Sequence, residues 1–437
     1  MLESSLLSTP IPSNAPRTFH LLAKPTGATC NLDCKYCFFL SKELLYPDSR
    51  FRMTDEVLEA YIRELLEAHQ EPEVTIAWQG GEPTLMGLDF FKRSIELVSK
   101  YKKPGQTVMH NIQTNGIKVE DEYAEFFNEN HFLVGLSMDG PQEMHDAYRV
   151  NKGGQGTHKR VVKAWQILME HGVDVNILCT VNAANADHPL EVYHYFRDEL
   201  KAQYIQLIPI VERSTADMLP LANEGWGERA GNRPLYIQAG NLVTERSVKP
   251  EQYGRFLASI FDEWVRKDVG NVFVINFDAS LANWVGHPSV CIFQKTCGQA
   301  LAMEHNGDLY SCDHFVEPAH ILGNILETHM RTLIGSDQQL KFGRDKYDTL
   351  PRYCRECEVL FACYGECPRN RFLKTPDGEA GLNYLCFGYK EFFKHIDKPM
   401  KLMADLLQQG RYADEVMGIL AEQEKEKLKR RRKSKAN

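Results

Sequence analysis

Short β-rich runs alternate with amphipathic stretches through the first half of the chain. Strands are predicted at Phe19–Ala23, Val74–Trp78, Val108–Gln113, Phe132–Ser137, Val173–Val181 and Tyr204–Ile210. Helical periodicity marks 54–68, 88–101, 119–129, 158–171 and 189–201 between them, and the last opens with Pro189, a favoured first helical position. Six strands with intervening helices imply parallel βα units. Tyr253, Phe256, Leu257, Ile260, Phe261, Trp264 and Val265 recur at helical spacing and predict a core-facing helix. Residues 211–250 are polar, rich in Gly and Pro and weakly periodic, so a long loop near the substrate is expected. Asn306-Gly307 inside 300–312 signals a hairpin turn. The tail carries eight Lys or Arg from Lys425 onward and reads as a solvated helix end, with nucleic-acid or membrane contact as the alternative.

Composition narrows the class. The chain, at 437 residues, has room for a large catalytic domain and a smaller one. Its net charge of −8 argues against nucleic acid as the main partner. No run approaches the roughly 20 apolar residues of a membrane span. The first residues lack a basic start and a long apolar stretch, so a cytoplasmic location is expected. In that reducing compartment, twelve cysteines point to metal or redox chemistry rather than disulfides. Cys30, Cys34 and Cys37 sit together, eight more fall between Cys291 and Cys386, and Cys179 stands alone in an apolar run as an inert core residue.

The triplet Cys30-x3-Cys34-x2-Cys37 follows the first predicted strand. Thiolates suit iron–sulfur clusters and zinc. A closed zinc site wants four ligands, and the nearest histidine, His20, lies inside the strand. Either a distant residue completes a zinc site, or three thiolates hold a four-iron cluster with one iron open to a small molecule. Other polar motifs follow their own strands: Gly80-Gly81-Glu82-Pro83, Gln113-Thr114-Asn115-Gly116 and Ser137-Met138-Asp139-Gly140. In a parallel barrel such motifs share the rim where active sites assemble.

The triplet, with Tyr36 before its third cysteine, resembles the radical S-adenosylmethionine (SAM) superfamily. The resemblance implies an α/β fold, a partial (β/α)6 TIM-like barrel, in which the open iron binds SAM. It further implies that Gly80, Gly81 and Glu82 contact the methionyl end of SAM and that Ser137 and Arg149 hold its ribose and carboxylate. Leu207 would pack on the adenine. Without the resemblance, Arg149 is equally a surface ion-pair residue.

The C-terminal spacing is Cys291-x5-Cys297-x14-Cys312, then Cys354-x2-Cys357-x5-Cys363-x3-Cys367, then Cys386. Eight thiolates complete two four-ligand sites. The Cys354/Cys357 pair alone would pass for half a zinc ribbon, but redox-inert zinc fits a radical-generating enzyme poorly. This field resembles the SPASM domain, and the chain as a whole is similar to anaerobic sulfatase-maturating enzymes. That similarity implies Cys291, Cys297, Cys312 and Cys367 as ligands of one auxiliary cluster and Cys354, Cys357, Cys363 and Cys386 of the other, hence three 4Fe-4S clusters. It also implies Asp313 as general base and Gln79 as a residue near the substrate. Phe39 stands where many members of the family have Tyr.

The expected organisation is an N-terminal segment 1–16, a radical SAM core 17–250, a SPASM unit 251–400 and a C-terminal helix and basic tail 401–437. The expected reaction oxidises a Cys or Ser of an unfolded sulfatase polypeptide to Cα-formylglycine, with flavodoxin or ferredoxin as electron donor. Two readings compete: a peptide maturase forming thioether or carbon–carbon crosslinks, and a non-catalytic zinc or electron-transfer protein.

Overall fold

A computed structural model describes residues 15–227 and 234–436. Residues 1–14 of the expected N-terminal segment and 228–233 of the long connection lie outside the described residues. All six expected strands form: β1 (His20–Lys24), β2 (Glu73–Trp78), β3 (Thr107–Thr114), β4 (Phe132–Ser137), β5 (Asp174–Val181) and β6 (Tyr204–Pro209). They pair in parallel and in chain order, as strands joined by helical crossovers do. The intervening helices are α1 (Asp55–Ala68), α2 (Leu88–Tyr101), α3 (Asp121–Glu129), α4 (Gln142–Tyr148), α5 (His158–Glu170) and α6 (Pro189–His194). Thr54 caps α1 by accepting from the Val57 N–H. α6 is shorter than its periodicity suggests, because the chain widens into a π turn at Tyr195–Glu199. Arg197 in that turn reaches Glu263 and Asp268 at 2.8 and 2.9 Å.

The connection expected as a loop at 211–250 contains an antiparallel ribbon of β7 (Arg213–Ser214) and β8 (Leu242–Val243), with α7 (Leu219–Glu224) between them. A buried ion pair orders it. Arg246 meets Glu212 at 3.0 Å, and the Trp226 indole donates to the same carboxylate at 2.6 Å. Local propensity carries no trace of such a tertiary pair, so the composition reads as loop.

α8 (Pro250–Lys267) follows, then β9 (Phe273–Val274), which pairs with β6, and α9 (Ile275–Trp284). β10 (Ala300–Glu304) returns to the opposite edge and pairs in parallel with β1, from His20↔Ala300 to Lys24↔Glu304. β11 (Asp308–Tyr310), after the expected turn, and β12 (Ile321–Asn324) extend it antiparallel. β1 and β6 do not pair, so the barrel is partial, and ten strands form one sheet. The hairpin expected in the second unit is thus built into the first unit's sheet.

The remaining elements are α10 (Met330–Ile334), α11 (Asp337–Asp348), α12 (Arg352–Arg355), α13 (Leu360–Cys363), the ribbon β13 (Leu373–Lys374)/β14 (Ala380–Leu382), α14 (Cys386–Gln408) and α15 (Glu415–Ala436). α15 carries the basic tail as an exposed helix, tied to α8 by Arg266 and Glu424 at 3.0 Å. Among the described residues no helix is long and apolar enough to cross a membrane.

All seven periodic apolar residues of α8 are buried, and they pack on α14 through Tyr389, Phe392, Phe393 and Ile396. Burying each such side chain is worth about 1.5–3 kcal/mol. The two helices cross at glycine. A Cβ on Gly254 would lie 2.6 Å from the Gly388 carbonyl oxygen, and one on Gly388 only 2.0 Å from that of Pro250. Because α14 begins at Cys386, this contact fixes where that thiol stands. Gly388→Ala should therefore lower stability by about 1–3 kcal/mol, outweighing the roughly 1 kcal/mol of helix propensity that alanine brings. Gly418→Ala on α15, where a Cβ meets nothing within 4 Å, should leave stability unchanged or raise it by up to about 1 kcal/mol. Urea unfolding midpoints of the two variants check the contrast.

Candidate active site and thiol groups

The loop after β1 carries Cys30, Cys34 and Cys37. It is fastened to the loop after β2: the Gly81 N–H donates to the Gly27 carbonyl at 2.8 Å, and the Glu82 N–H to the Thr29 carbonyl at 3.0 Å. A Cβ on Gly81 would stand 2.0 Å from the Thr29 oxygen, so this approach admits only glycine. Gly80, at φ +127°, turns the chain into it. The Glu82 carboxylate is buried, and burial raises its pKa. It accepts from the Thr84 N–H (3.0 Å), the Thr84 and Thr114 hydroxyls (2.6 and 2.8 Å) and the Asn115 N–H (2.8 Å). One carboxylate thus ties the tips of β2 and β3. Asn115 in turn reaches the Cys30 sulfur at 3.5 Å and Asn31 at 2.8 Å.

The thiols of the triplet are close enough to influence one another. Burial raises all three, Cys34 to about 12, and neighbouring thiolate charge adds to the rise at Cys30 and Cys34. Left alone they stay protonated. A multinuclear cation would reverse that balance, because metal binding deprotonates coordinating thiols, so this donor set suits an iron–sulfur cluster. His20 opens β1 whereas the triplet follows its end. Five strand residues at about 3.3 Å each keep the histidine away.

Around the rim, the Ser137 hydroxyl accepts from the Gln113 amide at 3.1 Å. Arg149 is buried rather than a surface residue. It pairs with Asp139 at 2.9 Å, and the Tyr36 hydroxyl donates to the same carboxylate at 2.6 Å. Burial works to raise the Asp139 pKa, but the charge and hydrogen bond of Arg149, with His145 and the Tyr36 hydroxyl, together hold the group below its ordinary value. The Arg149 guanidinium lies 5.5 Å from the Tyr36 ring centroid, which links the cysteine loop to the end of β4. Leu207 on β6 is buried and lines a cavity of about 700 Å³. Asn276 grips its backbone with bonds of 2.9 Å on both sides.

Asp313 follows Cys312 in a short turn, Asp313–Phe315. Its Oδ1 accepts from Lys24 at 2.5 Å, and Lys24 also donates to Gln79 Oε1 at 3.2 Å. Burial opposes ionisation of Asp313, but the charge and hydrogen bond of Lys24, together with His314 and Arg369, hold its pKa below the ordinary carboxyl value. Lys24 was not anticipated. Its only signal is a cation closing the apolar run of β1, an uncommon choice for a buried strand.

The eight C-terminal thiols fall into two neighbourhoods. Cys354, Cys357, Cys363 and Cys386 line one cavity. Cys291 and Cys367 line the 700 Å³ cavity instead. Their electrostatics follow the same division. Cys312 is raised by burial and then by Cys367 and Cys291, and Cys297 by burial and Cys291, whereas Cys363 responds to Cys386 and Cys354. Cys367 therefore stands with the earlier cysteines although it follows Cys363 by four residues. Lys346, buried beside Cys291, Cys297 and Cys367, donates to the carbonyls of Cys291 and Ile292. Cys179 lies in the core on β5. Among the described residues, no His, Cys, Asp and Glu side chains gather as ligands of a single metal ion.

Residues 25–196 match the radical SAM superfamily and residues 291–358 the SPASM iron–sulfur cluster-binding domain. The chain is 46% identical over 391 residues to a serine-type anaerobic sulfatase-maturating enzyme of Bacteroides thetaiotaomicron, covering 89% of this chain and 91% of that protein. It is 34% identical over 379 residues to a cysteine-type enzyme of Clostridium perfringens, covering 86% and 95%. Its fold matches the solved structure of native anSMEcpe with bound AdoMet and the Cp18Cys peptide, at a TM-score of 0.75 and 33% identity, over 88% of this chain and 98% of that one.

Proposed function

The chain belongs to the anaerobic sulfatase-maturating enzymes of the radical SAM superfamily, and we propose that it oxidises a serine or cysteine side chain of a sulfatase polypeptide to Cα-formylglycine. The observation that carries this reading is the meeting at Lys24 of a carboxylate from the cysteine-rich half, Asp313, with the strand that leads into the three-thiol loop.

Three clusters and SAM fit the donor sets. Cys30, Cys34 and Cys37 would hold the first cluster. Cys291, Cys297, Cys312 and Cys367 would hold the second, and Cys354, Cys357, Cys363 and Cys386 the third. Bound there, these groups would supply a hydrogen-atom abstractor for the substrate Cβ and an acceptor for the electron left behind.

The polypeptide does the rest. Gly80, Gly81 and Glu82 would contact the methionyl end of SAM, and Glu82 braces that loop. Ser137 and Arg149 hold the ribose and carboxylate, with Asp139 and Tyr36 fixing the guanidinium. Leu207 closes on the adenine. Asp313, kept ionised beside Lys24, takes the proton from the substrate hydroxyl or thiol, and Gln79 stands next to it. Hydrogen atom, proton and electron together account for the two-electron oxidation; a cysteine substrate would then exchange sulfur for oxygen by hydrolysis. Twelve free thiols and a low-potential donor such as flavodoxin or ferredoxin suit the cytoplasm.

The test is anaerobic incubation of the reconstituted chain with reductant, SAM and sulfatase peptides carrying Ser or Cys. Loss of two hydrogens from the Ser peptide is expected, with methionine release; methionine release with unchanged peptide mass would overturn the reading. Asp313→Asn should slow peptide oxidation by about 10²–10⁴-fold, the span of a lost general base. Cys367→Ala and Cys357→Ala should each remove one cluster's iron, and their spectra should differ from each other. Identical spectra would overturn the proposed division of the thiols.

A further inference from the structure

Lys24 ends β1 with only 2% of its side chain exposed. A buried ammonium is stable only where its N–H groups are taken up. Here three chain segments supply partners: Asp313 Oδ1 at 2.5 Å, Gln79 Oε1 at 3.2 Å, and the ring of Phe39 with its centroid at 4.0 Å. The lysine backbone is fixed, since Lys24 closes the five-residue pairing of β1 with β10. An ammonium only donates. It therefore selects the oxygen of the Gln79 amide and turns the Nε2 donor away from itself. On Asp313 it occupies Oδ1, and among the described residues no hydrogen bond is made to Oδ2. Lys24 thus engages one oxygen of Asp313 and the oxygen of the Gln79 amide, and takes up neither Asp313 Oδ2 nor the Gln79 Nε2 donor.

We propose, on the basis of the formylglycine reading, that Lys24 is the positioning residue that presents Asp313 as acceptor and Gln79 as donor to the substrate side chain. A hydroxyl or thiol has the matching pair of needs: its proton must go to an acceptor, and its heteroatom accepts from a donor as charge develops. Lys24 acts through these two side chains, and its own N–H groups are spent on them and on Phe39. The ring completes the arrangement, because a cation above an aromatic face is held without competing for the oxygens.

The experiment uses the full, anaerobically reconstituted chain with Ser and Cys sulfatase peptides. Lys24→Met keeps the length and removes the donors. Its ratio of formylglycine to 5′-deoxyadenosine should fall by roughly tenfold or more, because the alignment that completes the reaction is lost. Peptide affinity, read by fluorescence anisotropy, should stay within about threefold, since uniform binding is not what Lys24 supplies. Lys24→Arg should recover most of the ratio. An unchanged ratio in Lys24→Met, or both products falling by one common factor, overturns the proposal. If that variant does not load iron, Gln79→Met decides: it leaves the Lys24–Asp313 pair in place, and the same ratio should drop; an unaltered ratio overturns the proposal equally. A wild-type chain that forms no formylglycine from either peptide would instead sink the activity on which this rests.

Discussion

The parallel pairing of β10 with β1 constrains everything downstream of it. Five residues on each strand are locked in register, and Lys24 is the last of them on β1. The hairpin that continues from β10 therefore cannot shift along the barrel wall, because a one-residue slip would turn every side chain to the opposite face. Cys312 and Asp313 hang from the end of that hairpin. Their distance from the three-thiol loop is set by backbone hydrogen bonds inside a single sheet rather than by a soft contact between two bodies. Such stiffness holds groups from distant parts of the chain at a fixed separation, and in a catalytic site misplacement by about 1 Å can lower a rate a hundredfold.

Charges buried around the site follow one rule, each being matched within hydrogen-bond reach. Glu82 is met by backbone and hydroxyl donors, Asp139 by Arg149 and Tyr36, and Asp313 by Lys24. Removing one partner of such a set is far more damaging than replacing the whole set by apolar residues, because the survivor is left charged in a poor solvent. Glu82 differs from the other two carboxylates in having no cation among its partners, and its pKa rises where theirs fall. Glu82 thus serves as a brace, while the two paired carboxylates keep their charge.

The strands and the first cysteine loop could be read from the chain because both are local signals. Apolar runs such as Phe132–Ser137 coincide with a strand to the residue, and the triplet's spacing lies within one loop. The long-range features could not be read in this way. Nothing near Ala300 says that it pairs with His20, 280 positions away. Spacing does not decide which group Cys367 joins, and its place with Cys291 rests on the resemblance to the maturases. Its side chain lines the same cavity as Cys291 in the folded chain. Arg149 shows the same limit, since its burial against Asp139 depends on a contact that periodicity does not encode. The segment 211–250 owes its order to the Arg246–Glu212 pair, which also lies beyond any local signal.

Burial of the thiols couples metal loading to stability. Most of the cysteines in the three groups have their pKa raised, Cys363 and Cys367 to about 12. The bare fold therefore holds these residues as neutral thiols, with little incentive to ionise. Were a metal to take the place of these protons, as the proposed function requires, its binding free energy would become folding free energy for the segments that carry the thiols. Those segments are short: α12 and α13 have four residues each and β13 has two. Helices of that length are not stable by their own hydrogen bonds. The short elements of the cysteine-rich half are instead held by the apolar core they share with the barrel, through residues such as Phe293, Val359, Ala362 and Leu385, and by the α8–α14 crossing that anchors Cys386.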